Sequence, residues 1–168
     1  MKRDGTTGAA QREFAELLER HRGLVVKVAA MYARAAADRA DLAQDIAVQL
    51  WRAWPRYDRT RPLTTWMYRI ALNVAISWVR SQAVRLRHAA PPDQLDDVAD
   101  ERAADPEIQR RLRALEAFIH QQAPLDRALL LLQLEERGQR EIAEILGLSE
   151  TNVSTKLHRL KQRLRAEL

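Results

Sequence analysis

The segment LTTWMYRIALNVAISWVRSQ (63–82) restricts the fold more than any other part of the chain. Met67, Tyr68, Ala71, Leu72, Val74, Ala75, Trp78 and Val79 cover most of the circumference of a helix. A helix that is apolar nearly all round has to be enclosed by other elements, so the chain is expected to build a bundle around it. One narrow stripe remains: Trp66, Arg69, Asn73, Ser77 and Arg80, spaced three or four residues apart. An aromatic ring, an amide and two guanidinium groups in one line can stack on bases, bond their edges and hold phosphates. Arg85, Arg87 and His88 extend the positive surface beyond it.

The remaining sequence supplies helices to enclose this one. From Arg12 to about Ala35, Phe14, Leu17, Leu18, His21, Val25, Val28 and Tyr32 recur at helical spacing, with a break expected near Gly23. Asp38 is a plausible N-cap for a helix ending before Pro55, with Leu42, Ile46, Leu50 and Ala53 on its buried side. Its outer side carries Asp41, Gln44, Asp45, Val48, Trp51 and Arg52. An apolar centre with a polar, partly acidic rim fits a protein partner better than a polyanion. Residues 55–62 (PRYDRTRP) form a basic loop between two prolines.

Periodicity is lost over residues 83–106, where Pro91-Pro92 and an acidic run mark a linker. Residues 1–90 have a net charge of +8, residues 91–106 of −5 and residues 107–168 of +2. Two basic blocks around an acidic strip suit a nucleic-acid partner. The expected fold is all-α: two small helical domains, 12–90 and 107–168, joined by a flexible acidic linker (91–106), with residues 1–11 disordered. The extended linker could reach roughly 50 Å, so the two halves need not touch.

In the second half, helices are expected over Glu107–Gln122, Asp126–Glu136 and Arg140–Leu146, followed by a turn and a long final helix. Gly147 provides the sharp turn, Leu148 fills the angle between helices, and Ser149 is a good N-cap. Val153, Leu157, Leu160 and Leu164 line one side of the last helix. The opposite face holds Thr151, Asn152, Thr155, His158, Arg159 and Gln162, with Lys156 and Arg163 on the flank and no acid among them. This is a helix-turn-helix pattern. Thr151, Asn152 and Thr155 are placed for base edges in the major groove, and Lys156, Arg159 and Arg163 for phosphates.

These patches, in this order, resemble the extracytoplasmic-function group of the sigma-70 family. DLAQDIAVQLWRAWPRYD (41–58) resembles region 2.2, the 63–82 segment resembles regions 2.3 and 2.4, and REIAEILGLSETNVSTKLHRLKQRL (140–164) resembles region 4.2. The resemblance implies that Asp41, Gln44, Asp45, Val48, Trp51 and Arg52 dock on the coiled coil of the largest subunit of core RNA polymerase, and that the C-terminal domain meets the flap. It implies that Arg56, Tyr57, Arg59 and Arg61 capture a base flipped from the promoter −10 element. Trp66, Arg69, Asn73, Ser77 and Arg80 would read the opened strand. Thr151, Asn152, Thr155, Lys156, His158, Arg159 and Arg163 would read the −35 element. Promoter DNA and core polymerase are thus the implied partners, and an anti-sigma factor is one the resemblance allows. Met67 stands in place of a second aromatic, implying weaker melting and stricter promoter choice. Glu136-Arg137-Gly138 stands in place of the usual Gly-Leu-Ser.

The alternative is a stand-alone helix-turn-helix regulator. That would need dimer symmetry, no dimerisation heptad is evident, and it leaves the 63–82 stripe unexplained. Nothing points to an enzyme. His21, His88, His120 and His158 are scattered, there is no cysteine, and no phosphate loop, catalytic residue, metal site or cofactor site is expected. Apolar runs such as Ala128–Leu132 are far too short to span a bilayer, and a cytoplasmic protein is expected.

Overall fold

The computed structural model describes residues 4–87 and 105–167, all helices and connections. The first half comprises α1 (Asp4–Arg20), α2 (Arg22–Tyr32), α3 (Ala36–Ala53), a 3₁₀ turn at Trp54–Arg56 and α4 (Leu63–Leu86). The second comprises α5 (Pro106–Gln121), α6 (Pro124–Leu134), α7 (Gln139–Leu146) and α8 (Glu150–Glu167). His88 and most of the acidic strip lie outside the described residues.

The apolar body of α4 is enclosed as its sequence requires. Met67, Tyr68, Ala71, Leu72 and Ala75 are buried against Leu24, Val25, Val28, Ala29 and Tyr32 of α2 and Leu42, Ile46 and Leu50 of α3. Val74, Trp78 and Val79 are only half-buried, and α4 runs on to Leu86 rather than stopping at Gln82. Each fully buried Leu or Ile contributes about 1.5–3 kcal/mol by leaving water, so this enclosure is the main stabilising term of the first half.

Several boundaries differ from the local pattern. Residues 4–11, expected to be disordered, continue α1. The break between α1 and α2 falls at His21, where the backbone leaves helical geometry, and Gly23 lies inside α2. Ala35 rather than Asp38 occupies the N-cap of α3; Asp38 sits in the first turn, where a carboxylate favours the helix dipole without capping. Helix α6 begins at Pro124 because proline has no N–H to lose at a first helical position. Asp105 caps α5, accepting from the Glu107 N–H at 2.9 Å.

The helix-turn-helix forms as its turn residues dictate. Gly147 has φ +66°, and the Leu148 N–H donates back to the Ala143 carbonyl at 3.0 Å. Ser149 Oγ accepts from the Asn152 N–H at 3.1 Å. Before α7 the chain turns differently. Glu136 takes φ 56°, and the Arg137 N–H donates to the Leu132 carbonyl at 3.0 Å. A non-glycine residue in this region costs roughly 1–2 kcal/mol. Glu136→Gly is therefore expected to stabilise the protein by roughly 0.5–1 kcal/mol after the added freedom of the unfolded chain is subtracted. Thermal unfolding should show a rise of a few degrees, and a fall would contradict the strain argument.

The two halves touch, although the length of the linker did not require them to. Helices α6 and α7 pack against α2 and α4, and the apolar residues of both halves form one continuous cluster. Tyr32 Oη donates to the Pro124 carbonyl at 2.7 Å, and Lys27 pairs with Glu135 at 2.7 Å. Burial pushes the Tyr32 phenol well up, keeping it a donor. Burial, with Arg34 and Arg127 nearby, lowers His120 to about 4, so its ring is uncharged at neutral pH.

Candidate nucleic-acid interface

The stripe on α4 faces outward. Arg69, Asn73, Ser77 and Arg80 are all exposed, so none is consumed by the core that holds the rest of the helix. Trp66, at the head of the stripe, is half-buried and belongs to an aromatic cluster. Its ring lies 4.8 Å from Tyr57 and 6.0 Å from Trp54. Tyr57 stacks on Trp54 at 5.5 Å, and Phe14 of α1 contacts both Trp51 and Trp54, at 5.2 and 5.8 Å. This cluster forms the floor beneath the basic loop. The sequence signal for it was aromatic density over 51–66, which helical periodicity alone does not read.

The loop is fixed from several sides. Asp58 accepts from the Thr60 hydroxyl at 2.7 Å and the Thr60 N–H at 3.0 Å. These bonds hold its carboxyl below the ordinary range. Tyr57 Oη donates to the Arg61 carbonyl at 2.6 Å. Arg59 lies over the Trp54 ring at 5.4 Å and pairs with Glu13 at 2.8 Å. Arg61 reaches Glu144 of α7 at 3.0 Å. Arg56 is exposed at the start of the loop. The loop thus presents cations on an aromatic base, and two of them already hold carboxylates of this chain.

On α3, Asp41, Gln44, Asp45 and Arg52 are exposed, and Val48 is 39% exposed among them. Trp51 departs from the expected outer face: it is half-buried because its ring rests on Phe14. An open groove between α3 and α4 is lined by Asp45 and Gln49 on one side and Asn73, Ser77 and Trp78 on the other. The outer face of α3 and the α4 stripe therefore border one groove, a relation that the separate helical patterns did not reveal.

On α8, Thr151, Asn152, Thr155, His158, Arg159 and Arg163 are exposed while Val153, Leu157 and Leu160 are buried. Two flank residues are engaged inside the domain. Lys156 is half-buried and lies 3.7 Å from Asp126. Arg163 sits over the Phe118 ring at 5.9 Å. Among the described residues no group of His, Cys, Asp and Glu could hold a metal ion, and no helix is long and apolar enough to cross a membrane.

Residues 17–85 match the family Sigma-70 region 2, and residues 112–164 match Sigma-70, region 4. The chain belongs to the sigma-70 family of RNA polymerase sigma factors, in its extracytoplasmic-function group. It is 28% identical to the RNA polymerase sigma factor CnrH of Cupriavidus metallidurans, over 94% of this chain and 87% of that protein. It is 27% identical to the probable RNA polymerase sigma factor RfaY of Xanthomonas campestris, over 94% of this chain but 41% of that longer protein. The solved structure of CnrH in complex with the cytosolic domain of CnrY is similar, with TM-score 0.66, 24% identity and coverage of 95% and 92% of the two chains. The sigma factor RpoE of Bartonella quintana, in complex with the anti-sigma factor NepR, is similar in fold with TM-score 0.71 and 17% identity, covering 93% of this chain and 96% of that one.

Proposed function

We propose that this sigma factor docks on core RNA polymerase through the exposed face of α3, reads the −35 element with α8, and holds the unpaired −10 strand along the α4 stripe. The observation that carries this reading is the exposure of Arg69, Asn73, Ser77 and Arg80 on a helix whose other faces are largely buried. Two guanidinium groups and an amide are left facing water where packing gives them no role.

The mechanism is differential binding. Polymerase holds the two domains at a set separation, so both DNA contacts act together at high effective concentration. Contacts made only with unpaired bases then offset the few kcal/mol needed to unstack and unpair them. Trp66 supports the aromatic floor and offers its free edge to a base, while the loop cations at Arg56, Arg59 and Arg61 hold backbone phosphates or a flipped base. On α8, Thr151, Asn152 and Thr155 meet base edges, and Arg159 meets phosphate, with His158, Lys156 and Arg163 behind. No bond is made or broken by this subunit. An anti-sigma factor is a third partner class, supported by the assembly in which RpoE was solved. The functional units run from residue 12 to 90 and from residue 107 to 168.

Reconstitution tests the reading. Added to core polymerase, the protein is expected to yield transcripts that begin at a discrete promoter and vanish when either element is scrambled. A stand-alone regulator would yield none from core enzyme.

A further inference from the structure

Helix α8 carries five cations: Lys156, Arg159, Lys161, Arg163 and Arg165. Among the described residues, Lys156 is the one of these held by a carboxylate, its Nζ lying 3.7 Å from Asp126 Oδ1. Arg163 rests on the Phe118 ring at 5.9 Å, which leaves its charge in place. The pair with Asp126 is sheltered, with side chains 34% and 22% exposed, so salt screens it less than a fully exposed pair. Asp126 is itself well placed. It sits in the first turn of α6, where the helix dipole favours a carboxylate, and α6 packs directly on α8. Lys156 lies one turn from both Asn152 and Arg159. Without Asp126 its ammonium would stand beside the DNA strand that Arg159 meets.

We propose that Asp126 is a positioning residue that withholds Lys156 from DNA phosphate, and so sets the strength of the sequence-independent hold of α8 on duplex DNA. This rests on the functional reading of α8 given above. Sequence-independent affinity comes from cations that neutralise phosphates and release counterions. Two arrangements are open to the pair on DNA. Lys156 stays with Asp126, and one phosphate goes unneutralised. Otherwise it turns to the phosphate and leaves a half-buried carboxylate facing the polyanion. Both weaken the duplex complex, and both do so whatever the base sequence. Chromosomal DNA offers a vast excess of wrong sites, so a weaker uniform hold keeps the subunit off them. At a promoter, polymerase adds the α4 contact at high effective concentration, and the loss is recovered there.

Asp126→Asn keeps the side-chain shape and removes the charge that holds Lys156. Binding of the full-length chain to a labelled random-sequence duplex is followed by fluorescence anisotropy from about 50 to 200 mM salt. With Lys156 freed, one more phosphate is neutralised. Affinity is expected to rise roughly fivefold near 0.1 M salt, and the slope of log affinity against log salt to steepen by about 0.9. Asp126→Ser, which also suits the first turn of a helix, should give the same gain and guards against a folding defect peculiar to one variant. Made in a K156Q background, D126N should change affinity by less than about twofold, because no cation is left to release. A fivefold gain in both backgrounds would mean that Asp126 acts through overall charge alone, and overturns the proposal. So does the absence of a gain in either. Asn152→Ala tests the reading beneath it: with core enzyme, it should lose the preference for a −35 duplex over a scrambled one. A retained preference would overturn base reading by α8, while a D126N gain that requires Lys156 would still stand.

Discussion

Replacing Arg69 and Asn73 together by alanine is expected to slow promoter opening about a hundredfold while leaving the initial closed complex nearly intact. Both side chains are exposed on a helix whose other faces carry the core, so truncating them removes no buried contact. The fold should survive, with thermal unfolding within a degree or two of the parent. Each lost contact to an unpaired base or its phosphate costs about 1–3 kcal/mol. Two such losses at roughly 1.5 kcal/mol each give about 3 kcal/mol, or a hundredfold at 1.4 kcal/mol per decade. Because the bases are available only after unpairing, the loss falls on opening. Permanganate reactivity of −10 thymines over time separates this from closed binding, which a −35 contact dominates. Equal losses in both steps would point to duplex phosphate contacts instead.

Charge reversal at Asp45 is the second large effect. Asp45 is exposed on α3 beside Val48, with Asp41 and Gln44 on the same face. A protein interface with an apolar centre and an acidic rim requires a basic partner surface, and placing a like charge there costs several kcal/mol at worst. Taking about 2 kcal/mol, Asp45→Arg should weaken binding to core polymerase roughly thirtyfold. Titration of labelled protein with core enzyme measures it directly. An unchanged affinity, with the variant folded, would remove α3 from the docking surface. Because Asp45 and Asn73 line one groove, the two effects should be partly coupled when combined, as neighbours usually are.

Much of this architecture is legible in local pattern. The enclosed helix α4, the turn at Gly147 and the cap at Ser149 follow from side-chain spacing and from the backbone each residue permits, and these are properties of consecutive residues. The exposed seam was legible for the same reason: an arginine and an asparagine on an otherwise apolar cylinder have to face something other than core. What was not legible depends on partners far apart in the chain. Glu141 and Glu144 look like ordinary solvated acids on a short helix, and only the fold brings them to Thr65 and Arg61. Arg137 stood out as a departure from a family turn, yet its contacts with Tyr68 and Thr64 could not be read from that. Lys156 and Trp51 sit at outward-looking positions, but Asp126 and Phe14 draw them in. The boundary at Asp38 failed because a good capping residue one turn late serves the helix dipole nearly as well.

The strand-holding role of the α4 seam is tested most directly by the affinity of the assembled polymerase for a single-stranded −10 oligonucleotide, compared between the parent protein and the Arg69, Asn73 double-alanine variant. A roughly hundredfold weaker grip on the strand by the variant, with unchanged binding of a −35 duplex, is the predicted result. Equal affinity of the two proteins for the strand would contradict it.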